Sequence, residues 1–372
     1  MKLTIERAAL LKALSHVQSV VERRTTIPIL SNVLLRAGSG QLALSATDMD
    51  LEIVESVPAR IDSDGRTTAP AHTLYDIVRK LREGAQVELE TVGDRNEMVL
   101  RSGRSTFTLS CLPPEDYPVM TGAELPHHFT LTAAELRALI DRTRFAISTE
   151  ETRYYLNGIY LHATKNNEVP VLRSVATDGH RLARIEMVLP EGAAGMPGVI
   201  VPRKTVLELR KLVEEGNDEV QVALGDTKIR CAIGEAALTS KLIDGTFPDY
   251  DRVIPTGNDK MLEVPCKEFA EAVDRVSTIS TERSRAVKLA IDRGSLTVSA
   301  TSPENGTAIE ELEVRYQSNP IEIGFNSRYL LDIAEQIEGE AALFAMSDAA
   351  SPTIVRDSAD ASALYVLMPM RV

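Results

Sequence analysis

The sequence predicts an α+β chain in which one unit of strands and two helices is used three times. Three observations carry this. An apolar helix face of Leu10, Leu14 and Val17 returns as Leu136, Ile140 and Thr143 and again as Phe269, Val273 and Val276, at offsets of 126 and then 133 residues. A second helical pattern follows in each copy. Between the two helices lies a common landmark, Ala46-Thr47-Asp48, Ala176-Thr177-Asp178 and Ala300-Thr301-Ser302. A repeat at this spacing means one supersecondary unit reused, with a period of about 120 residues.

Taken in order, each copy opens with a short strand-like lead-in ending at Ile5, Leu131 or Val264. The first helix follows at once. In the second copy it has a capping box, Thr132 with Glu135 three residues on, which satisfies two backbone donors reciprocally. Next come hairpins. Gly38-Ser39-Gly40 and Arg293-Gly294-Ser295 separate alternating apolar runs such as Leu42-Leu44-Ala46 and Leu296-Val298-Ala300. The second helix starts after Pro70 with Leu74, Tyr75, Ile77, Val78 and Leu81. After Pro202 it carries Val206, Leu207, Leu209 and Val213, with Arg210 replacing one member; after Asn326 it carries Leu330, Leu331, Ile333, Ala334 and Ile337. Further alternating runs, Phe107-Leu109-Cys111 and Ile229-Cys231-Ile233, read as strands, as does the terminal stretch Leu364 to Met370. Thr121 to His128 and Pro255 to Lys260 hold Pro, Gly and polar residues without periodicity and read as linkers. The expected domains are therefore 1–124, 125–257 and 258–372.

Composition narrows the function. With 41 Lys and Arg against 54 Asp and Glu among 372 residues, the net charge of −13 argues against a protein held on nucleic acid by bulk basicity. The charge is unevenly placed, however. The six helical segments hold 19 basic and 16 acidic residues, net +3, which leaves −16 for the rest. Arg7, Lys12, Arg137, Arg203, Lys204 and Lys211 are then either ordinary solvated surface or phosphate-facing. Ring geometry separates the two readings. A unit of this size is about 34 Å across, so three in a ring leave a hole of about 3 Å radius, four about 7 Å and six about 17 Å. A duplex of about 10 Å radius fits comfortably only in the last. Two chains of three units would form it by repeated rotation.

Catalysis finds no support. Asp178-Gly179-His180 is the nearest thing to a dyad, but no Ser or Cys nucleophile motif and no metal-ligand spacing accompanies it. Cys111, Cys231 and Cys266 form no C-x-x-C pair and read as small buried apolar residues, so neither a disulfide framework nor a thiolate metal site is expected, and no cofactor. The N-terminus begins a strand-like alternation rather than a signal core, and no run approaches 18 apolar residues. A soluble, unprocessed cytoplasmic chain is expected. A β-rich nucleic-acid enzyme and a repeat scaffold that binds only proteins remain as alternatives to a ring that confers processivity.

Several motifs in order point to one family: Tyr154-Tyr155-Leu156-Asn157-Gly158, Ala176 to Leu182, Val201-Pro202-Arg203-Lys204, Ser240 to Gly245 running into Phe247-Pro248-Asp249-Tyr250, Ile323-Gly324-Phe325-Asn326 and Met368-Pro369-Met370-Arg371. Along its whole length the chain closely resembles the bacterial DNA polymerase III β subunits, the sliding clamps. The resemblance implies three repeated DNA-clamp domains with antiparallel sheets outside and two helices each facing a central channel, in a ring-shaped head-to-tail homodimer. It implies sequence-independent, topological hold on double-stranded DNA. Implied partners are the replicative polymerase, the clamp loader, repair and translesion polymerases and mismatch-repair proteins, at the nucleoid of the cytoplasm and with no membrane.

Carried over residue by residue, a partner-peptide pocket would comprise Leu156, Thr177, Gly179, His180, Arg181, Leu182, Pro248, Arg252 and Val253. The last unit would add Asn326, Tyr329, Val366, Leu367, Met368, Pro369, Met370, Arg371 and Val372. DNA contacts would be Arg24, Tyr154, Tyr155, Arg203 and Lys204, and the dimer contact Phe107 and Leu109 against Thr278 and Ile279. Two positions depart from the family pattern. Ser284 stands where an aromatic rim residue is expected, implying a shallower pocket edge, and Glu97 stands where a basic residue is expected at the dimer contact.

Overall fold

The structure is a computed structural model that describes residues 1–93, 96–120, 122, 124–213, 219–280 and 285–371. The expected α+β content is present as antiparallel sheets and six α-helices: α1 Arg7–Val17, α2 Ala71–Lys80, α3 Ala133–Asp141, α4 Arg203–Leu212, α5 Cys266–Ser277 and α6 Ser327–Ala334. The chain divides into two compact units. The first comprises residues 1–137, 190–197 and 204–242, the second 138–189, 198–203 and 243–372.

In the first unit a five-stranded sheet runs in the order Arg60–Ser63, Lys2–Glu6, Gln86–Thr91, Glu97–Ser102, Ser105–Ser110. An eight-stranded sheet runs His127–Thr132, Glu219–Leu224, Lys228–Ile233, Ala236–Lys241, Leu51–Pro58, Gln41–Thr47, Asn32–Gly38, Gly65–Pro70. Its centre joins two repeats. Leu51–Pro58 from the first pairs with Ala236–Lys241 from the second, in a register that sets Leu51 opposite Ser240 and Glu55 opposite Ala236. Helix α1 lays Leu10, Ala13, Leu14 and Val17 against this sheet, and α2 packs beside it. Leu10, Leu14 and Val17 each contribute roughly 1.5–3 kcal/mol on removal from water, which outweighs the marginal propensity of an eleven-residue helix.

The second unit repeats the arrangement. A nine-stranded sheet runs Val199–Pro202, Gly158–Asn166, Val169–Thr177, Arg181–Val188, Ala363–Leu367, Thr353–Asp357, Ala341–Met346, Lys260–Pro265, Arg315–Tyr316. A four-stranded sheet runs Gly306–Glu313, Ser295–Ser302, Ala286–Asp292, Ile321–Asn326. Here Arg181–Val188 of the middle repeat pairs with Ala363–Leu367 of the last, placing Leu182 opposite Val366. Compactness follows the sheets, so each unit gathers a whole terminal repeat with part of the middle one. Helix α5 buries Phe269, Ala272, Val273 and Val276, and α6 packs on α5.

Several expectations meet the structure directly. The capping box forms, with Thr132 N–H donating to Glu135 Oε2 at 2.7 Å and Glu135 N–H to Thr132 Oγ1 at 3.1 Å. Ser39 and Gly40 both take left-handed φ values, 51° and 74°, as a tight two-residue hairpin turn requires. All three cysteines are free and buried. The terminal strand is shorter than expected and ends at Leu367, because Pro369 has no N–H for a ladder; Met370 makes only an isolated bridge to Gly324. The stretch assigned to the first linker already enters a strand at His127.

Candidate partner-binding cleft

The cleft is built on the turn between the strands Val169–Thr177 and Arg181–Val188. Asp178 Oδ1 accepts the N–H groups of His180 at 2.9 Å and Arg181 at 3.0 Å, and the Thr177 hydroxyl donates to Arg181 O at 2.7 Å. Gly179 sits at φ 88°, so the backbone conformation favours glycine there. The turn thereby aims His180 outward and Arg181 inward.

Arg181 organises the wall. Its Nη1 donates to Asp332 at 2.5 Å, its Nη2 to Phe145 O at 2.6 Å and its Nε to Asp178 Oδ2 at 3.1 Å. The guanidinium also lies 4.2 Å from the Tyr329 ring centre and 5.1 Å from that of Phe145, a cation between two π faces. Tyr329 is held beside it on α6, whose first turn is capped by the Asn326 side chain accepting from Arg328 N–H at 3.0 Å. Burial, followed by the nearby Asp178 carboxylate, pushes the Tyr329 phenol up, so it stays a neutral donor at physiological pH.

The floor is apolar. Leu156, Leu182 and Val366 belong to one buried cluster with Val175, Ile200, Phe247, Tyr250, Ile354 and Leu364. Pro248, Arg252 and Val253 follow Phe247 along the chain and are exposed, Val253 by 51%, while Arg252 pairs with Asp249 at 2.7 Å. Beyond Leu367 the chain is tied down by Met368 N–H donating to His180 O at 3.0 Å and Met370 N–H to Gly324 O at 2.9 Å. Met368 itself is 43% exposed. The described members of the expected pocket thus lie in one unit, where Leu156, Leu182 and Val366 share an apolar cluster and His180, Arg181, Tyr329 and Met368 adjoin one another. Arg371 is exposed; Val372 and the rim position Ser284 lie outside the described residues.

The expected DNA contacts divide. Tyr154 and Tyr155 meet edge to face at 5.8 Å, with Tyr154 54% exposed, in the second unit; Arg203 is exposed in the same unit. Arg24 is exposed in the first unit. Lys204 is engaged within the first unit: its ammonium donates to Glu22 at 2.5 Å, Asp48 at 2.6 Å and Val20 O at 2.9 Å. Burial pulls its pKa down, but the two carboxylates outweigh burial and the net shift is upward. Of the expected interface residues, Leu109 is buried and Phe107 half-buried on the edge strand Ser105–Ser110, while Thr278 is exposed and Ile279 half-buried just past α5.

Sequence reasoning missed Phe145 and Asp332 and noted Asp178 only in the turn motif and as part of a possible dyad, whereas all three hold Arg181. Tyr329 and Asp332 are three apart on α6 and so share a face, a spacing that was available; the partnership with Arg181 across 151 residues was not. Among the described residues no cluster of His, Cys, Asp and Glu could hold a metal, and no helix is long and apolar enough to cross a membrane.

The DNA polymerase III beta subunit family matches along the chain, its N-terminal domain over residues 1–121, its central domain over 130–249 and its C-terminal domain over 251–371. The chain belongs to this family. It is 57% identical over 372 residues to the beta sliding clamp of Caulobacter vibrioides and 41% identical over 373 to that of Escherichia coli K12, with both chains fully covered in each case. The crystal structure of the sliding clamp of Bartonella birtlesii bound to griselimycin superposes with a TM-score of 0.97 at 52% identity, covering all of both chains. That of the C. crescentus beta sliding clamp gives 0.97 at 57% identity, over 100% of this chain and 99% of the other. The family carries three repeated clamp domains. Its members are DNA sliding clamps, processivity factors of replication with no catalytic step of their own, and this chain is one of them. It acts on DNA together with a polymerase.

Proposed function

We propose that two copies of the chain close head to tail into a ring of six similar domains, 1–124, 125–257 and 258–372 in each, which encircles duplex DNA without reading its sequence. The edge strand Ser105–Ser110 of one copy would meet the edge strand Gly306–Glu313 of the other, since each has one side unpaired in its own sheet. Arg104 is exposed beside the first, and Glu311 and Glu313 are exposed on the second, a complementary pair of edges. Phe107, Leu109, Thr278 and Ile279 would form the apolar part of that contact. A hole of about 17 Å radius around a duplex of about 10 Å leaves room for water. Arg24, Tyr154, Tyr155 and Arg203 would therefore position phosphates rather than select bases.

The partner site is the cleft on Leu182 and Val366. The observation that carries it is that the apolar cluster holding Leu156, Leu182 and Val366 is accompanied in the same unit by the exposed apolar side chains Val253 and Met368 and by the polar groups of His180 and Tyr329, which Arg181 braces. Such a cleft suits a short peptide with one or two apolar anchors, and flexible Met368 and Met370 suit more than one. The replicative polymerase, clamp loader, repair and translesion polymerases and mismatch-repair proteins would compete for one cleft per chain, in the cytoplasm at the nucleoid. An isolated tail should bind at about micromolar Kd, because it must be ordered on binding. Deleting residues 368–372 should abolish polarisation of a labelled polymerase-tail peptide while sedimentation still reports the dimer. Unchanged polarisation would place the pocket elsewhere.

A further inference from the structure

Next to the cleft, and sharing His180, Arg181, Asn326 and Tyr329 with it, the second unit has an open cavity of about 590 Å³. Its other wall carries Arg144, Arg203, Arg285 and Arg328. The acids in its lining are already engaged. Asp178 and Asp332 both hold Arg181, at 3.1 and 2.5 Å, and Glu150 holds Arg153 at 2.5 Å. Arg144 is paired with Asp141 at 3.0 Å, and Arg328 reaches Asp332 only at 4.0 Å. Among the described residues, Arg203 and Arg285 have no acidic partner. Arg285 is fixed in place by its backbone, which sits at φ 44° and accepts the first N–H of α6 through its carbonyl at 2.7 Å. The cavity therefore presents a surplus of guanidinium groups to whatever enters it.

We propose that this cavity receives acidic residues flanking the apolar segment of a partner tail, so that the cleft selects tails by charge as well as by their apolar anchors. The inference rests on the partner cleft proposed above. Continuity argues for a peptide: a tail seated on Leu182 and Val366 that crosses the Tyr329 ring enters the cavity without leaving the protein surface. Arg181, pinned between Tyr329 and Phe145, is the shared wall and is not itself free to bind. Arg285 and Arg328, which are not among the groups assigned to DNA phosphates, offer planar forks that match a carboxylate in two-point geometry. Because these groups are partly solvated, the selection is modest and depends on salt.

The test uses the full-length chain and three labelled synthetic peptides that share one apolar core and carry Glu-Glu, Gln-Gln or Lys-Lys at both ends, which makes the result independent of chain direction. The Glu-flanked peptide should bind about tenfold more tightly than the Gln-flanked one at low salt, with the Lys-flanked one weakest. Raising the salt to about 0.5 M should shrink that ratio. In the R285Q/R328Q variant the ratio should fall to near one while the Gln-flanked peptide binds as before. Equal binding of Glu- and Gln-flanked peptides to the unaltered chain, or an advantage that survives R285Q/R328Q, overturns the inference and leaves the cleft standing. No binding of the Gln-flanked peptide overturns the cleft itself. If the ratio is one and R285Q/R328Q instead weakens a single-stranded oligonucleotide, the cavity serves nucleic acid and the inference is wrong.

Discussion

Two side chains in the second unit convert burial into measurable behaviour. His162 stacks on Tyr160 at 4.6 Å and its Nε2 lies 2.9 Å from the Tyr250 hydroxyl, beneath the cleft floor. Burial, followed by the Arg173 charge, pulls its pKa down to about 4. The unfolded chain holds that proton from about pH 6.5, so the folded state is favoured above 6.5 and the advantage is lost as the pH falls toward 4. With partial solvent access the loss is about 2 kcal/mol. Chemical denaturation at pH 7 and pH 4.5 should show a smaller pH difference in His162→Phe than in the parent; an identical difference would mean that His162 does not titrate in this window. Arg181 is the second case. Its removal in Arg181→Ala leaves Asp332 half-buried with only a 4.0 Å contact to Arg328 and withdraws the cation from Tyr329. A cost of about 2–4 kcal/mol in stability is expected from breaking such a pair. At least a tenfold loss of peptide affinity should accompany it, because the wall it braces is part of the cleft; unchanged affinity in a folded variant would make Arg181 a purely structural residue.

Among the elements, the repeat shows why the corresponding junction in the first unit offers no such apolar cluster. The turn at Thr47 and Asp48 copies the one at Thr177 and Asp178: Thr47 Oγ1 donates to Leu51 O at 2.8 Å, and Asp48 Oδ1 accepts from Asp50 N–H at 3.0 Å and Leu51 N–H at 2.8 Å. The following strand joins in the same way, with Lys241 N–H donating to Asp50 O at 2.8 Å where Met368 N–H donates to His180 O. Yet the pair corresponding to Leu182 and Val366 is Glu52 and Thr239. Glu52 is raised by burial, against the pull of Arg36 and Lys228, and Lys204 and Lys241 bind Asp48 and Asp50 over the copied turn. A polar floor under ion pairs cannot seat an apolar anchor. Calorimetric titration with a tail peptide should therefore saturate at one per chain; two per chain would contradict this. The repeat, the hairpin turn at Ser39-Gly40 and the capping box could be read from periodicity because each is local. The division of the middle repeat between two sheets could not, since it depends on Leu51 meeting Ser240, a partner from the next repeat. The pocket residues were legible only through motifs resembling a family, and the arginine cavity not at all, since Arg144, Arg203, Arg285 and Arg328 are far apart in the sequence and no spacing links them.

At the scale of the whole molecule, the proposed ring functions by closure, which in that reading rests on two short sheet edges. A ring that holds DNA by topology should stay on a nicked circle and leave when the circle is cut, whereas simple electrostatic affinity would treat both forms alike and weaken with salt. Retention on circular and linearised DNA at moderate salt separates these outcomes. The edges set how such a ring can be opened by mutation. Leu109 is only 8% exposed within its own unit, so Leu109→Asp would damage the five-stranded sheet as well as any contact between chains. Phe107 and Ile279 are half-buried and project less into their own cores, which makes Phe107→Asp with Ile279→Asp the cleaner disruption. Glu97 stands where the resemblance implies a basic residue, and Arg101 is already engaged by Glu90 at 2.8 Å, so few charges remain to support the proposed edge. With only Arg104 set against Glu311 and Glu313, the dimer should weaken only modestly as salt rises, and the double variant should sediment at the 40.7 kDa of one chain with an unchanged far-ultraviolet circular dichroism spectrum. Such a monomer should still bind a tail peptide, because the cleft lies within one unit, but should no longer be retained on circular DNA. A variant that remains dimeric would remove Phe107 and Ile279 from the interface.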